Sequence, residues 1–240
     1  MKLINKKDNQ IIFTAEIEES LLNSIRRYMN EIDLVAIDEV EISKNDSPLY
    51  DETIAHRIGL IPLKMEKTIK KSGREELTLN VKKEGFVMSG ELQGKLKVIY
   101  PNIPITFLNK GSELVVKAIT KLGKGSEHSK FSPGLMFYRN LFDVKIDKDC
   151  LNGVVNICPK KVFEMQNGKV VVRDSFSCDD CESCIELGLK QGKPEIVKIT
   201  LNGELYVTLE SFGQLSVEDI FEKSIKELKN DLGEFGKQVK

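Results

Sequence analysis

The side chains best suited to chemistry in this chain are cysteines. Cys178, Cys181 and Cys184 stand at two-residue gaps in the stretch CDDCESC, and Cys158 precedes a proline about twenty residues upstream. A tight loop turns thiols at this spacing inward, where they can share one centre. Thiolates bind both iron–sulfur clusters and zinc. The spacing therefore predicts a metal site with these four cysteines as ligands.

The pattern favours an iron–sulfur cluster over zinc. Ferredoxin-type clusters combine C-x2-C-x2-C with a distant Cys-Pro, as here. Zinc sites commonly use two C-x2-C pairs, and the first half of this pattern has one cysteine. The residues 167–169, NGK, predict a hairpin that joins the two halves. Zinc, free thiols and disulfides stay open as alternatives, as does the iron content, 4Fe–4S or 3Fe–4S. Cys150 is interpreted as a buried or free thiol.

Catalytic patterns are weak elsewhere in the sequence. The two histidines, His56 and His128, are interpreted as structural, and no nucleophile stands beside a base. Gly123 and Gly125 do not form a six-residue nucleotide fingerprint, and no Walker lysine motif is present. The simplest interpretation is a metal centre that stabilises a segment too short to build its own core.

The composition predicts a soluble globular protein. The chain has 240 residues, of which 40% are apolar, and its 36 basic and 37 acidic residues leave a net charge of −1. Non-specific DNA binding normally needs a basic surplus, which is missing overall. The N-terminus lacks the apolar region of a signal peptide, and the apolar runs are too short for a bilayer. We therefore expect a cytoplasmic protein with no membrane partner.

Apolar periodicity predicts two strands in residues 2–17, an amphipathic helix at 18–32 capped by Ser20, and a strand at 35–42. A short helix follows, with Asp51 as its cap and Pro62 as its stop. These elements make the N-terminal part of the chain a mixture of helix and strand.

The middle of the chain, about 66–146, is predicted to be rich in strands, with candidates LTLNV, KLKVI, ELVVKAIT and FDVKI. Residues 195–210 resemble a hairpin turned at Asn202-Gly203, and a helix capped by Ser216 follows. Both terminal amphipathic helices need apolar partners. We expect them to pack together, with the middle of the chain inserted between them.

Residues 21–63 resemble the N-terminal signature of the D subunit family of archaeal RNA polymerases. This family includes the third subunit of eukaryotic RNA polymerase II and is related to the bacterial α subunit. Residues 121–139 are similar to the family's glycine–histidine–lysine loop, and residues 211–232 resemble its C-terminal helix. Residues 150–187, which we call the cysteine segment, are similar to the ferredoxin-like insert of some archaeal members.

The resemblance implies an α+β fold of three parts. Residues 1–40 and 199–240 would form a discontinuous dimerisation domain like that of the α subunit. Residues 41–149 and 188–198 would form an inserted β-rich domain, and residues 150–187 a small ferredoxin-like iron–sulfur domain.

The resemblance also implies a non-catalytic subunit of a DNA-dependent RNA polymerase. Such a subunit forms a heterodimer with the small subunit L, recruits subunits N and P, and docks the two large catalytic subunits. It contacts DNA only indirectly. Two other functions stay open: a ferredoxin-like electron-transfer protein and a zinc-stabilised binding module.

Residue roles follow from the resemblance as expectations. The four cysteines match the family's cluster ligands. The residues expected in the core or at the partner interface are Leu21, Leu22, Ile25, Arg26, Met29, Ile220, Phe221 and Ile225. The residues expected to order a loop that faces a large subunit are Asp51, Glu52, His56, Arg57 and Gly59.

Overall fold

The computed structural model of the chain describes residues 1–65, 73–148 and 150–239. The class is α+β, as predicted. Residues 66–72 and Asp149, which belong to the predicted inserted domain, lie outside the described residues. The chain divides into two compact units, one formed by residues 1–6, 12–19 and 137–208, the other by residues 7–11, 20–136 and 209–240.

The helices and strands are numbered in chain order. The first are β1 (Lys2–Lys7), β2 (Gln10–Ala15), α1 (Glu19–Tyr28), β3 (Leu34–Asn45) and α2 (Asp51–Gly59). The middle of the chain forms β4 (Glu76–Val81), β5 (Gly85–Met88), β6 (Gln93–Gly94), β7 (Pro104–Leu108), β8 (Leu114–Gly123) and β9 (Gly134–Ile146). The last are α3 (Gly153–Ile157), β10 (Phe163–Gln166), β11 (Lys169–Val172), α4 (Ser183–Lys190), β12 (Val197–Ser211) and α5 (Val217–Gln238).

Four sheets connect the strands of the described residues. Their strand orders are β1-β2-β12-β9, β3-β8-β4-β6, β5-β7 and β10-β11. Strand β8 pairs antiparallel with both β3 and β4, with Leu114 opposite Asn45 on one side and Val81 on the other. Strand β8 therefore lies inside the second sheet, with a paired strand on each side.

Side chains from residues 35–65 and 73–118 build one large aliphatic core. Alternation along β4 buries Leu77, Leu79 and Val81 on one face of the sheet, as the period of a half-buried strand requires. Helix α2 packs on this core through Ile54 and Ile58, which are fully buried. At roughly 1.5–3 kcal/mol for each large aliphatic side chain, this burial stabilises the region without any special chemistry.

The cysteine segment has a smaller core within the other unit. The short helix α3 and the helix α4 contact each other, and strands β10 and β11 form a hairpin turned by Asn167-Gly168. Both turn residues have positive φ, 51° and 76°, as a two-residue turn of type I′ requires. The predicted hairpin is thus confirmed, whereas a ferredoxin-like fold stays a prediction.

Three local predictions in the first half of the chain are wrong at the level of single elements. Helix α1 begins at Glu19, so Ser20 lies inside the helix, where its carbonyl accepts a hydrogen bond from the Ser24 hydroxyl at 2.8 Å. Helix α2 begins at Asp51, and its cap is Tyr50. The KLKVI segment forms only an isolated bridge, between Val98 and Leu63. Strands β5 and β7, in turn, were missed.

The predicted hairpin at Asn202-Gly203 is also wrong, because β12 runs unbroken through both residues. A type I′ turn needs positive φ at both central residues. Of these two residues only Gly203 has it, with φ 86°. The side chain of Asn202 instead accepts a hydrogen bond from the Glu204 amide at 2.9 Å.

The C-terminal helix follows its prediction closely. The Ser216 hydroxyl oxygen accepts a hydrogen bond from the Asp219 amide at 3.1 Å, which confirms the cap. The helix then extends six residues beyond the predicted end at residue 232, to Gln238. It packs against the 3-10 turn Met29–Glu31 that follows α1, and Tyr28 donates a hydrogen bond to Asp231 at 3.0 Å. Within the described residues, no helix is long and apolar enough to span a membrane.

Candidate functional site

The four predicted ligands line one small cavity. Cys158 follows α3, Cys178 follows a 3-10 turn at Ser175–Ser177, and Cys184 lies in the first turn of α4. These three and Cys181 surround a cavity with about 10 Å³ of space for the centre of a water molecule. That is close to the size of a single water. The local folding therefore places all four cysteines that the spacing singled out on the lining of one cavity.

The thiols differ in exposure and in their contacts. Cys178 and Cys184 are buried, Cys158 is half-buried and Cys181 is exposed. The sulfur of Cys158 accepts a hydrogen bond from the Val162 amide at 3.5 Å. Cys181 lies between Asp180 and Glu182, two residues with positive φ. Of the four predicted ligands, Cys181 is thus the exposed one and lies between two left-handed residues.

Electrostatics at the cavity disfavour bare thiolates. Burial raises the pKa of the Cys178 thiol, and it raises the pKa of Cys184 to about 11. The neighbouring sulfur of Cys158 adds to both shifts, which places these sulfurs within electrostatic range of one another. Thiolates are the form that binds metal, so a cation entering this cavity would displace protons and supply the missing positive charge.

The donor set fits the group that the sequence suggested, whereas the closed cavity is small for it. Four thiols are the ligand set of both four-iron clusters and structural zinc. In the part of the chain that the structure describes, however, no three His, Cys, Asp or Glu side chains stand close enough together to hold one metal ion. To hold a cluster, the four sulfurs would therefore have to approach one another. Cys150 is half-buried against the same core and lies outside the cavity lining.

The predicted interface residues fall into two groups. Leu22, Ile25, Met29 and Ile220 are buried within the chain and contribute to its own core. The exposed members are Leu21 and Ile225, whereas Phe221 and Arg26 are intermediate. Arg26 donates two hydrogen bonds to the Asn23 side chain, at 2.9 and 3.1 Å.

Helix α5 carries an apolar seam that continues past the predicted residues. We define the α5 seam as Phe221, Ile225, Leu228, Leu232 and Phe235. Their spacing alternates four and three residues, which is the pattern of a helix that pairs with another helix. Ile225, Leu232 and Phe235 are 39%, 61% and 65% exposed. Sequence reasoning missed Leu232 and Phe235, although the same heptad spacing, followed further, would have found them.

The predicted loop residues lie on and around α2. The Asn45 amide donates to the Asp51 carboxylate at 2.7 Å and to the Leu49 carbonyl at 2.8 Å, which ties the end of β3 to the start of the helix. Arg57 donates to the Ile105 carbonyl at 2.8 Å. The exposed face of the helix also includes Glu52 and His56, and Gly59 ends it.

The glycine–histidine–lysine loop is organised by its lysine. Lys130 donates to the Asp38 carboxylate at 2.7 Å and to the Ile37 carbonyl at 3.0 Å, both on β3. The imidazole of His128 accepts a hydrogen bond from the Lys130 amide at 3.1 Å and caps a short 3-10 turn. His128 therefore has a structural contact, in keeping with its interpretation from the sequence.

Comparison with known proteins shows which proteins this chain is similar to. Residues 35–136 match the model of the RNA polymerase Rpb3/RpoA insert domain. The chain is 38% identical to DNA-directed RNA polymerase subunit Rpo3 of Pyrococcus horikoshii over 165 residues, which cover 64% of this chain and 63% of that relative. It is 30% identical to the Rpo3 subunit of Methanosphaera stadtmanae, with 92% of this chain and 91% of the relative covered.

A eukaryotic relative is similar over an even larger share. The chain is 30% identical to DNA-directed RNA polymerase II subunit rpb3 of Dictyostelium discoideum, with 100% of this chain and 94% of the relative covered. The class defined by these matches is that of DNA-directed RNA polymerase subunits. Within it, the chain belongs to the Rpo3/Rpb3 family, the archaeal D subunit family that the signature at residues 21–63 indicated.

Proposed function

We propose that this chain is a non-catalytic assembly subunit of a DNA-dependent RNA polymerase, which pairs with the small subunit L. The observation that carries the pairing is the α5 seam. Apolar side chains at heptad spacing on the exposed face of a helix indicate a helical partner. Covering each large side chain would contribute about 1.5–3 kcal/mol.

The docking of subunits N and P and of the large catalytic subunits belongs to the same proposal. The segment around α2 supports it, because the helix is fixed from inside by Ile54 and Ile58 while Tyr50 and Leu60, at its two ends, are exposed. Fixed elements that present apolar side chains are typical of interfaces. The near-zero net charge fits a subunit that contacts DNA only indirectly.

Co-expression with subunit L tests the pairing. We expect a stable 1:1 complex for the unaltered chain and its loss for Leu232→Asp, because a carboxylate in the seam would be buried without a partner. Asn230→Asp adds the same charge on the opposite side of the helix and is the matched control. A monodisperse monomer with no affinity for subunit L would contradict the proposal, as would equal pairing by both variants.

We propose further that Cys158, Cys178, Cys181 and Cys184 hold an iron–sulfur cluster, 4Fe–4S or 3Fe–4S, that fastens the cysteine segment. The shared cavity lining supports this assignment. Bound there, the group would supply cross-links between the ends of α3 and α4. Iron, sulfide and zinc analysis of anaerobically purified protein, with its visible spectrum, separates a cluster from zinc. The electron-transfer alternative stays a prediction that no comparison supports.

A further inference from the structure

One arginine ties the sheet to the main chain at Cys178. Arg139, on β9, stacks on the ring of Tyr206, on β12, with 4.5 Å between the guanidinium carbon and the ring centroid. Its Nη1 donates a hydrogen bond to the carbonyl of Cys178 at 3.1 Å, and its Nη2 donates to the carbonyl of Phe176. A single guanidinium thus holds the backbone at Cys178 and two residues before it.

Other contacts fix the same short stretch. Asp174 accepts hydrogen bonds from the Phe176 amide at 3.0 Å and from the Ser177 hydroxyl at 2.6 Å. The ring of Phe176 lies near that of Tyr206, with centroids 6.5 Å apart. The backbone just before Cys178 is therefore held by Arg139 of β9, by the ring of Tyr206 and by the capping side chain of Asp174. All three residues belong to the same unit of the chain.

The arm that carries Cys181 is built differently. Cys181 is exposed, its sulfur lies 3.6 Å from the Ser183 hydroxyl, and left-handed residues stand on both sides of it. A segment that is already ordered loses less conformational entropy when it binds a ligand. The two arms would therefore contribute unequally to metal binding, with the Cys178 arm in place beforehand.

We infer that Arg139 is a positioning residue for the metal centre: it holds Cys178 ready before iron arrives, and the Cys181 arm closes last. The inference rests on the proposed cluster. Arginine suits this role because its planar fork can reach two carbonyl oxygens while its face stacks on an aromatic ring. A lysine has neither the fork nor the stacking plane, so Arg139→Lys keeps the charge and removes the geometry.

Anaerobic reconstitution of the full chain with ferrous iron and sulfide tests the inference. We compare the unaltered chain with Arg139→Lys, Arg139→Ala and Arg173→Ala; Arg173 is a matched control, with a side chain 63% exposed and a 3.9 Å contact to Glu164. The readouts are the visible absorption on loading and the rate at which a chelator extracts the iron. We expect about 10- to 100-fold weaker retention for both Arg139 variants and no change for the control.

A double-mutant cycle separates positioning from general stability. If Arg139 acts through Cys178, Arg139→Lys should add nothing to the loss already caused by Cys178→Ser. A merely structural role would add its own loss and overturn the inference. Circular dichroism of each metal-free variant establishes that it is folded.

The remaining outcomes distinguish the inference from the proposal on which it rests. If the unaltered chain binds the cluster and both Arg139 variants retain it equally well, the positioning role is overturned and the metal centre stands. If the unaltered chain takes up no iron and sulfide, the proposed centre fails, and the role of Arg139 fails with it.

Discussion

The insert region, which we define as the described part of residues 35–118, and the cysteine segment are stabilised in different ways. In residues 35–118, strands β3, β4, β7 and β8 and helix α2 bury a continuous set of aliphatic side chains. The core of the cysteine segment is smaller, and two of its buried members are Cys178 and Cys184. All the non-glycine residues with positive φ in the described chain lie in that segment: Lys161, Asn167, Asp180 and Glu182.

This difference fits the proposed role of the four thiols as ligands that fasten the cysteine segment. Left-handed backbone at a non-glycine residue costs roughly 1–2 kcal/mol, and a small apolar core can offset only a few such residues. The insert region has the core and needs no further constraint. The cysteine segment instead has polar attachments, such as the Arg139 contacts, and four thiols around one cavity. The predictions that follow test this contrast, from the largest expected effect to the smallest.

Removing a fully buried side chain from the insert region should have the largest effect. Ile58 is 0% exposed in the aliphatic core, so Ile58→Ala should lower the free energy of unfolding by about 2–5 kcal/mol. Ile58→Val is the graded control, at about 0.5–1.5 kcal/mol. Denaturant unfolding with and without a chelator measures both. A loss that depends on the chelator would contradict the expectation that this core is independent of the proposed metal site.

The rates at which the thiols react should show how the cysteines of the segment differ in exposure and in pKa. In the metal-free chain we expect iodoacetamide to modify the exposed Cys181 first and Cys184 last. Only the thiolate reacts, and a pKa of about 11 in place of 9.0 leaves Cys184 with about 100-fold less thiolate near pH 8. Mass spectrometry of labelled peptides from pH 7 to 9 measures the rates. Equal labelling of the two thiols would mean that the cavity around Cys184 is open in solution.

Two glycines with similar backbone conformations, one in each region, allow the effect of the same substitution on the two regions to be compared. Gly168 and Gly111 have φ values of 76° and 84°, and an added Cβ would meet nothing within 4 Å at either. Alanine at each should cost about 1–2 kcal/mol of backbone strain. We expect hydrogen exchange to show faster local opening of β10 and β11 for Gly168→Ala, and a lower global stability for Gly111→Ala. The same global loss from both would mean that the segment unfolds together with the insert region.

The same contrast decides what could be predicted from the sequence. The dipeptide Asn-Gly predicts a hairpin at residues 167–168 and at residues 202–203, and only the first is one. Asn167 adopts positive φ between two short strands, whereas β12 continues through Asn202 as part of a four-stranded sheet. The turn preference of Asn-Gly determines the backbone at residues 167–168, where the flanking strands are short. At residues 202–203 the pairing of a long strand overrides the same preference.

The candidate site was predictable where residue type carries the signal. Four cysteines at ferredoxin-like spacing were found from the sequence, and they line one cavity. The contacts of Arg139 were not predictable, because a surface arginine on a strand has no pattern that indicates two carbonyl oxygens from another part of the chain. Leu232 and Phe235 were predictable in part. Their heptad spacing can be read from the sequence, whereas their exposure depends on the fold.

The smallest expected effect is that of an ion pair beside the aliphatic core. Lys130 donates to the Asp38 carboxylate at 2.7 Å and holds the pKa of Asp38 below its ordinary value. A depressed carboxyl pKa contributes stability above the unfolded pKa near 3.9, which is lost as the pH falls through the folded pKa. The Asp38 side chain is 33% exposed, so solvent screens the pair, and Asp38→Asn should cost only about 0.2–1 kcal/mol at pH 7.

The pH dependence distinguishes this ion pair from packing. The difference in free energy of unfolding between the unaltered chain and Asp38→Asn should shrink toward zero as the pH falls through the lowered folded pKa of Asp38, because both side chains are then neutral. Asp46→Asn removes a more exposed partner, which lies 3.4 Å from Lys44, and should cost less at pH 7. A difference that persists unchanged into acid would assign the effect of Asp38 to shape. The insert region would then gain its stability from packing even at its charged edge.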